Sequence, residues 1–376
     1  MKIIILGAGL VGGPMAADLA ADPLFEVTAV DVSAEALARL AKIRGVRTLR
    51  TDLARPEDVR GLVAGFDLVL SAVPGFMGFR TLRAVLEAGK CVVDIAFFPE
   101  DPFALDSLAK AQGVTALVDC GVAPGMSNVL TGYSQQRLDE VRSVLIYVGG
   151  LPEVREWPYD YKAVFSPVDV IEEYIRPARY VQNGALVVRP ALSDAELIYF
   201  PGLGTLEAFN TDGLRTLIGT IGAPDMKEKT LRYPGHIEKM AVLRETGFFS
   251  QDEIEVGGVR IRPLDVTAKL LFPKWKMGPA DRDVTVMKIV VEGRKDGQDR
   301  RYTYDLLDRF DETSGVHSMA RTTGYTATVA ARMLARGLYA DKGVFAPESV
   351  GRRPKCVEFL LAGLKERGIV YHETIE

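Results

Sequence analysis

Gly7, Gly9 and Gly12 stand directly behind the aliphatic run Ile3-Ile-Ile-Leu6, and their spacing can do chemistry without any side chain. In a Gly-x-Gly-x-x-Gly turn the first glycine makes the tight bend and the second lets backbone approach a diphosphate. The third lets the following helix pack close to the strand. The backbone at Leu10 and Val11 and the positive end of the helix opening at Val11 would face the phosphates. In a chain with 36 glycines such a match could be a plain turn. The strand before it, the Ala-rich helix after it and a second strand at Glu26–Val30 argue otherwise. Asp31 lies 19 positions beyond Gly12, where a carboxylate can accept from the ribose hydroxyls of a dinucleotide. A 2′-phosphate would meet Asp31 as a like charge, and Val32 and Ser33 offer no guanidinium, so the cofactor expected is NAD. Asp31 could also cap a helix over Ala34–Lys42, a duty Ser33 can share.

The elements that must hold these residues follow the same pattern for 120 residues. Aliphatic strands at Arg47–Thr51, Leu68–Ser71, Cys91–Asp94 and Ala116–Asp119 alternate with helical patterns near Ala34–Lys42, Pro56–Val63, Phe79–Ala88 and Phe103–Gln112. That alternation predicts an α/β Rossmann domain with a doubly wound parallel sheet. In such sheets ligands lie beyond the carboxyl ends of the strands. The residues to watch are therefore Asp52, Ser71-Ala72-Val73-Pro74, Asp94 with Ala96, and Asp119-Cys120-Gly121-Val122. Of these, Ser71 and Val73 would border the nicotinamide ribose. After Asn128 the texture turns to period-2 alternation. Asn183-Gly184 between Ala178–Gln182 and Ala185–Arg189, and Asp296-Gly297 between Val284–Glu292 and Arg300–Leu306, are type I′ hairpin signals. Helical patterns at Ile171–Tyr174, Leu214–Ile221, His236–Thr246 and Pro263–Leu271 complete an α+β substrate domain with a mixed or antiparallel sheet. Helices over Thr323–Leu338 and Pro354–Arg367 should pack back on the first domain. The expected division is a dinucleotide-binding domain of residues 1–125 completed by 320–376, and a substrate-binding and oligomerisation domain of residues 126–319.

Composition narrows the partners. With 376 residues, 46 basic against 50 acidic side chains and a net charge of −4, two domains are expected, and neither nucleic acid nor an anionic membrane is an expected partner. Three widely spaced cysteines and three histidines, with no Cys-x-x-Cys, suggest neither a disulfide framework nor a metal site. The apolar stretch at the start is broken too early by glycine for a signal segment, and no run nears a membrane span, so a cytoplasmic protein is expected.

Further motifs stand along the chain: Leu70-Ser-Ala-Val-Pro74, Val118-Asp-Cys-Gly-Val-Ala-Pro-Gly-Met-Ser-Asn128, Gly149-Gly-Leu-Pro152, Tyr161-Lys-Ala-Val-Phe-Ser-Pro167, Thr211-Asp-Gly-Leu-Arg-Thr216, Lys229-Thr-Leu-Arg-Tyr-Pro-Gly-His236 and Ala320-Arg-Thr-Thr-Gly324. With the glycine turn and Asp31, they make the chain resemble the saccharopine dehydrogenase-like family nearly end to end, and within it the NAD-dependent lysine 6-dehydrogenases most nearly. The resemblance implies hydride transfer at a carbon bearing nitrogen, an amino-acid substrate and a homodimer or higher homo-oligomer. Oxidising a primary amine requires it neutral first, against an ammonium pKa near roughly 10.4. Candidate bases in the family motifs are Asp119, Lys162, Glu207, Asp212 and, ranked lower, His236. A zwitterionic substrate calls for a guanidinium against its carboxylate, which Arg215 or Arg321 can supply, and an acid against its α-ammonium, which Glu207 or Asp212 can supply. Tyr161 and Thr322 complete the substrate set. Before the resemblance is weighed, Asp212 reads as the cap of a helix from Gly213 and Arg215 as a solvated helix residue. Cys120 reads as a small buried hydrophobe, and Ser127 as the N-cap of a new helix where the two domains meet. Alternatives are a saccharopine reductase or carboxynorspermidine-type dehydrogenase, whose substrates carry an extra carboxylate, and a non-catalytic NAD-binding sensor.

Overall fold

A computed structural model describes residues 1–163, 167–278 and 280–376. Val164–Ser166 of the Tyr161–Pro167 motif lie outside the described residues. The chain forms two units, residues 1–139 with 320–371 and residues 140–319 with 372–376. The helix Met126–Arg137, which the sequence assigned to the second domain, belongs to the first unit, and the last strand belongs to the second.

In the first unit the aliphatic runs become strands because β-branched and leucine side chains can be buried on both faces of a parallel sheet. The six are β1 (Lys2–Leu6), β2 (Glu26–Asp31), β3 (Val46–Arg50), β4 (Leu68–Ser71), β5 (Cys91–Asp94) and β6 (Thr115–Leu117). Ile3, Ile4, Ile5 and Leu6 are fully buried. A seventh strand, Gly343–Phe345, pairs parallel with β6, giving the order Gly343–Phe345, β6, β5, β4, β1, β2, β3. Its three residues are too few to carry a periodic signal. The order reverses between β1 and β4, which puts the Gly7–Gly12 turn and Ser71–Pro74 together at the switch point where such sheets bind ligands. The helix Ser318–Ala335, expected over Thr323–Leu338, lies against this turn: a Cβ at Gly324 would come 2.9 Å from Met15 and 3.2 Å from Val11.

The second unit is built on a mixed sheet. Its strands are β7 (Glu140–Pro152), β8 (Ala178–Gln182), β9 (Ala185–Arg189), β10 (Glu196–Phe200), β11 (Gly204–Asn210) and β12 (Asp225–Arg232). A separate hairpin of β13 (Ile254–Val256) and β14 (Val259–Ile261) precedes the long β15 (Asp283–Lys295) and β16 (Gln298–Arg309). The order is β10, β11, β12, β7, β15, β16, His372–Ile375, with β12 and β7 parallel and the rest antiparallel. Both expected hairpins form. Asn183 (φ 50°) with Gly184 (φ 75°) and Asp296 (φ 51°) with Gly297 (φ 77°) take the left-handed conformations of type I′ turns. Helices Pro167–Ile175, His236–Glu245 and Pro263–Trp275 share a core containing Tyr161, Tyr174, Phe209 and Trp275. The expected helix over Leu214–Ile221 shrinks to Leu217–Thr220, since Arg215 adopts a left-handed φ of 52° that breaks it. Among the described residues no helix is long and apolar enough to cross a membrane.

Candidate functional site

At the switch point of the first unit the three glycines are required for different reasons. Gly7 has φ +101°, and a Cβ there would lie 2.6 Å from the Ala72 carbonyl oxygen; at Gly12 it would lie 2.1 Å from the Gly7 carbonyl oxygen. The protein's own packing demands both. Gly9 is exposed, and a Cβ on it would meet nothing within 4 Å. That vacant approach is where backbone can come against a diphosphate. The helix Gly12–Ala20 begins with no side-chain cap and no acid in its first turn, with Leu10 exposed and Val11 at its cap, so its amide end favours an anion. These features fit a dinucleotide.

Asp31 ties the acid to the turn. Its Oδ2 accepts from the Ala8 N–H at 2.7 Å and its Oδ1 from the Ser33 N–H at 2.8 Å. Ser33, and not Asp31, caps the helix Ala34–Leu40 by accepting from the Ala36 N–H. The absence of a guanidinium after Asp31 needs correcting. Parallel pairing of β2 with β3 sets Arg50 opposite Asp31, and Arg50 Nε donates to the Val32 carbonyl at 3.0 Å. Nothing in Val32-Ser33 could reveal this, because the contact comes from the next strand.

Beyond β4 the Ser71 hydroxyl is fully buried with no hydrogen-bond partner among the described residues, as expected of a group kept for a ligand or water. Val73 is buried and Pro74 caps the helix Gly75–Glu87. Asp94 and Ala96 are buried. Asp52 is exposed and closes a turn by accepting from the Ala54 N–H. Asp119 is buried with φ 52°, and the Cys120 N–H donates to the Asp94 carbonyl at 2.9 Å. Burial, then the Asp119 and Asp94 carboxylates, push the Cys120 thiol up to about 12; it is protonated and inert. Val122 is buried, and its carbonyl accepts from the Ser127 N–H. The N-cap of the next helix is Gly125, not Ser127: the Asn128 carboxamide accepts from the Gly125 N–H at 3.3 Å and from the Ser127 hydroxyl at 3.0 Å. Arg321 Nη2 donates to the Arg367 carbonyl at 2.6 Å, and Thr322 is fully buried.

In the second unit the candidates gather around the end of β12. Arg232 is buried, ion-paired with Glu173, and its guanidinium carbon sits 4.6 Å from the Tyr161 ring centroid. Burial opposes that charge, but Tyr174, Tyr161 and Glu173 outweigh it and hold Arg232 charged. His236 bonds the Tyr159 carbonyl through Nδ1 at 2.8 Å and the Tyr174 hydroxyl through Nε2 at 3.0 Å. Burial first, then Arg232, depress it to about 3. His236 is thus a neutral positioning group. Glu207 is half-buried and accepts from the Gly235 N–H at 3.0 Å, bracing the turn before His236. Asp212 caps no helix: it takes Arg179 Nε at 2.7 Å and Nη2 at 2.9 Å. Arg215 is buried. Lys162 stands apart, 3.1 Å from Glu156 and 3.6 Å from Asp281. Desolvation lowers its pKa, but the two acids raise it by more, which makes it a persistent cation and a poor base.

Glu228 is the residue the sequence reading missed. In its stretch, Asp225-Met-Lys-Glu-Lys-Thr-Leu-Arg232, the polar residues Glu228, Lys229, Thr230 and Arg232 are all buried. Glu228 accepts from the Thr211 hydroxyl at 2.5 Å and fills the space a side chain at Gly213 would need. Burial, with Glu173 and Asp212 nearby, pushes its carboxyl up to about 8. A carboxyl poised there can exchange a proton near neutrality.

Residues 3–117 match the profile described as the Saccharopine dehydrogenase NADP binding domain, and residues 121–369 that of the Saccharopine dehydrogenase C-terminal domain. The chain is 24% identical over 444 positions to the mitochondrial alpha-aminoadipic semialdehyde synthase of Rattus norvegicus, covering 99% of this chain but only 47% of that protein. It thus spans about half the length of that relative. It is 26% identical to carboxyaminopropylagmatine dehydrogenase of Synechocystis sp., covering 100% of this chain and 98% of that one. The apo saccharopine dehydrogenase (L-Glu forming) structure from Saccharomyces cerevisiae superposes with a TM-score of 0.82 at 20% identity, covering 100% and 99% of the two chains, and shares the fold.

Proposed function

Because the chain belongs to the saccharopine dehydrogenase family, we propose that it is a nicotinamide-dependent oxidoreductase that removes hydride from the ε-carbon of L-lysine. The observation that carries the cofactor half is Gly9, a glycine that packing does not need beside two that it does. When bound, the nicotinamide accepts the hydride. The chain's own residues then hold the diphosphate at the Gly7–Gly12 turn and the adenosine ribose at Asp31, which favours NAD.

Charge pairing in the second unit supports lysine over a substrate with extra carboxylates. Lys162, Arg179 and Arg232 each already face an acid: Glu156 with Asp281, Asp212, and Glu173. A second or third substrate carboxylate would have to displace one of these, whereas lysine brings a single carboxylate. Glu228, ionised as pH rises through about 8, can then take the ammonium proton, leaving the nitrogen lone pair to drive hydride departure. Water then adds to the resulting iminium, ammonia leaves, and the semialdehyde cyclises to a piperideine carboxylate. The relatives named for saccharopine-type and carboxyalkyl-amine chemistry make a secondary amine the second reading.

Purified protein with lysine and NAD should produce reduced-cofactor absorbance between pH 7 and 10. Turnover of saccharopine or a carboxyalkyl polyamine with none of lysine would replace the substrate half. Asp31→Ala should relax the preference for NAD over NADP, and an unchanged ratio would remove Asp31 from the ribose.

A further inference from the structure

A buried acid from the C-terminal part of the chain reaches the loop that follows β6. Glu348 lies on the short helix Pro347–Gly351 and is 1% exposed. Burying an acid is costly unless its oxygens are bonded, and Glu348 Oε2 accepts from Asn128 Nδ2 at 3.1 Å. Glycines on both helices allow the approach. A Cβ at Gly132 would run into the Glu348 backbone, and one at Gly351 into the Val129 carbonyl oxygen. Backbone-to-backbone packing thus sets the Glu348 carboxylate against the first turn of the helix Met126–Arg137. The contact decides which way the Asn128 carboxamide points. A carboxylate accepts only, so the amide NH2 turns to Glu348 and leaves Oδ1 facing the Gly125 N–H at 3.3 Å and the Ser127 hydroxyl at 3.0 Å. The loop held in this way is tight. The Gly121 N–H donates to the Pro124 carbonyl at 3.1 Å and the Met126 N–H to the Gly121 carbonyl at 3.0 Å, while Gly125 takes a φ of 142° that favours glycine. Cys120, just ahead of it, is tied to β5 through the Asp94 carbonyl.

We propose that Glu348 is a positioning residue: through Asn128 it holds the Gly121–Gly125 loop in the one shape against which the nicotinamide ring settles. The proposal rests on the reading that the Gly7–Gly12 turn holds a dinucleotide, whose nicotinamide half then crosses the switch point to the carboxyl ends of β4, β5 and β6. The adenosine half depends on other contacts, the Ala8 and Ser33 amides that hold Asp31. Loss of Glu348 should therefore be felt at one end of the cofactor only.

Titration calorimetry with NAD and with ADP-ribose, which lacks the nicotinamide ring, tests this without turnover. Wild type should bind NAD more tightly than ADP-ribose. Glu348→Ala strands the Asn128 amide and should weaken NAD by about 10-fold, while ADP-ribose changes by less than about twofold. Glu348→Gln keeps an acceptor of the same size and should hold NAD within about threefold of wild type. Hydrogen exchange at the Gly125 amide should quicken in Glu348→Ala and not in Glu348→Gln. The paired variant Glu348→Met with Asn128→Leu removes the relay without leaving either buried group unbonded; it should fold even where Glu348→Ala does not, and show the same split between the two ligands. Equal weakening of NAD and ADP-ribose, an NAD affinity unchanged in the paired variant, or a wild type that holds ADP-ribose as tightly as NAD overturns the role of Glu348. A wild type that binds neither ligand overturns the dinucleotide reading and this proposal with it.

Discussion

Replacing Gly9 by alanine should separate cofactor binding from folding. Gly9 is absent from the glycines with positive φ, and its new methyl group would meet no atom within 4 Å. The substitution should leave the free protein as stable as wild type or about 0.4–1 kcal/mol more stable, through the lost freedom of the unfolded chain. Binding should suffer, because the methyl occupies the approach of a diphosphate. Losing one charge-assisted backbone contact of about 2 kcal/mol weakens the complex roughly 30-fold. At an NAD concentration of about 100 times the wild-type Kd, ligand stabilises wild type by about 2.7 kcal/mol; the variant, then at about 3 times its own Kd, gains about 0.9 kcal/mol. For a unit of this size these become shifts in Tm of roughly 5–11 °C and 2–4 °C. Thermal melts with and without NAD read both quantities. Gly12→Ala is the contrasting case, since its Cβ would lie 2.1 Å from the Gly7 carbonyl oxygen, and it should lower the Tm of the free protein. A Gly9→Ala variant that melts several degrees below wild type without ligand, or one that keeps the full NAD shift, refutes the argument.

His236, depressed to about 3 by burial, stays neutral in the fold while the unfolded chain takes up a proton below about 6.5, so stability should fall as pH drops from 7 to 5, by about 2 kcal/mol. Urea melts of wild type against His236→Gln should show that loss only in wild type, and parallel slopes would exclude it. Glu228, raised to about 8, has the opposite sign: it keeps its proton in the fold while the unfolded chain loses it above about 4.5, so its contribution falls as pH rises from 5 to 8. The stability of Glu228→Gln relative to wild type should therefore grow across that range, and its lysine turnover should collapse; a variant with wild-type turnover would take the proton-acceptor role from Glu228. Arg179→Met leaves the buried Asp212 carboxylate without its two-point partner and should cost about 1–3 kcal/mol, which denaturant melts would register.

Much of the first unit was readable because parallel strands buried on both faces write themselves as aliphatic runs. Leu68–Ser71, Cys91–Asp94 and the helix Pro56–Val63 fall where the pattern puts them. The hairpins at Asn183-Gly184 and Asp296-Gly297 were legible for a local reason, a turn type that only a few residues adopt cheaply. The second unit's charged cluster was not. β12 buries Glu228, Lys229, Thr230 and Arg232 by supplying each with a partner: Thr211 for the first, Glu196 for Lys229, the Thr211 hydroxyl for Thr230 and Glu173 for Arg232. Those partners come from β10, from β11 or the residue just beyond it, and from the helix Pro167–Ile175. Buried charge is stable only when paired, and no one-dimensional pattern records a pairing across strands.

The same limit explains why the guanidinium of Arg50 escaped the sequence while the position of Asp31 did not. An acid at the end of the second strand is a fixed distance in sequence from the glycine turn, so its place follows from counting. A cation opposite it depends on the length and register of the next strand. Val27, Thr28, Ala29, Val30 and Asp31 pair in turn with Val46, Arg47, Thr48, Leu49 and Arg50, and sliding β3 by one residue would set Leu49 or Thr51 beside the acid. Side chains alternate faces along a strand. The place of Arg50 opposite Asp31 is therefore tied to the packing of Val46 and the register it enforces. A one-residue deletion in the Lys42–Gly45 turn that shifted β3 should withdraw Arg50 from the Val32 carbonyl and break the Thr51 N–H bond to the Asp31 carbonyl, and faster hydrogen exchange at the Thr51 amide would register it.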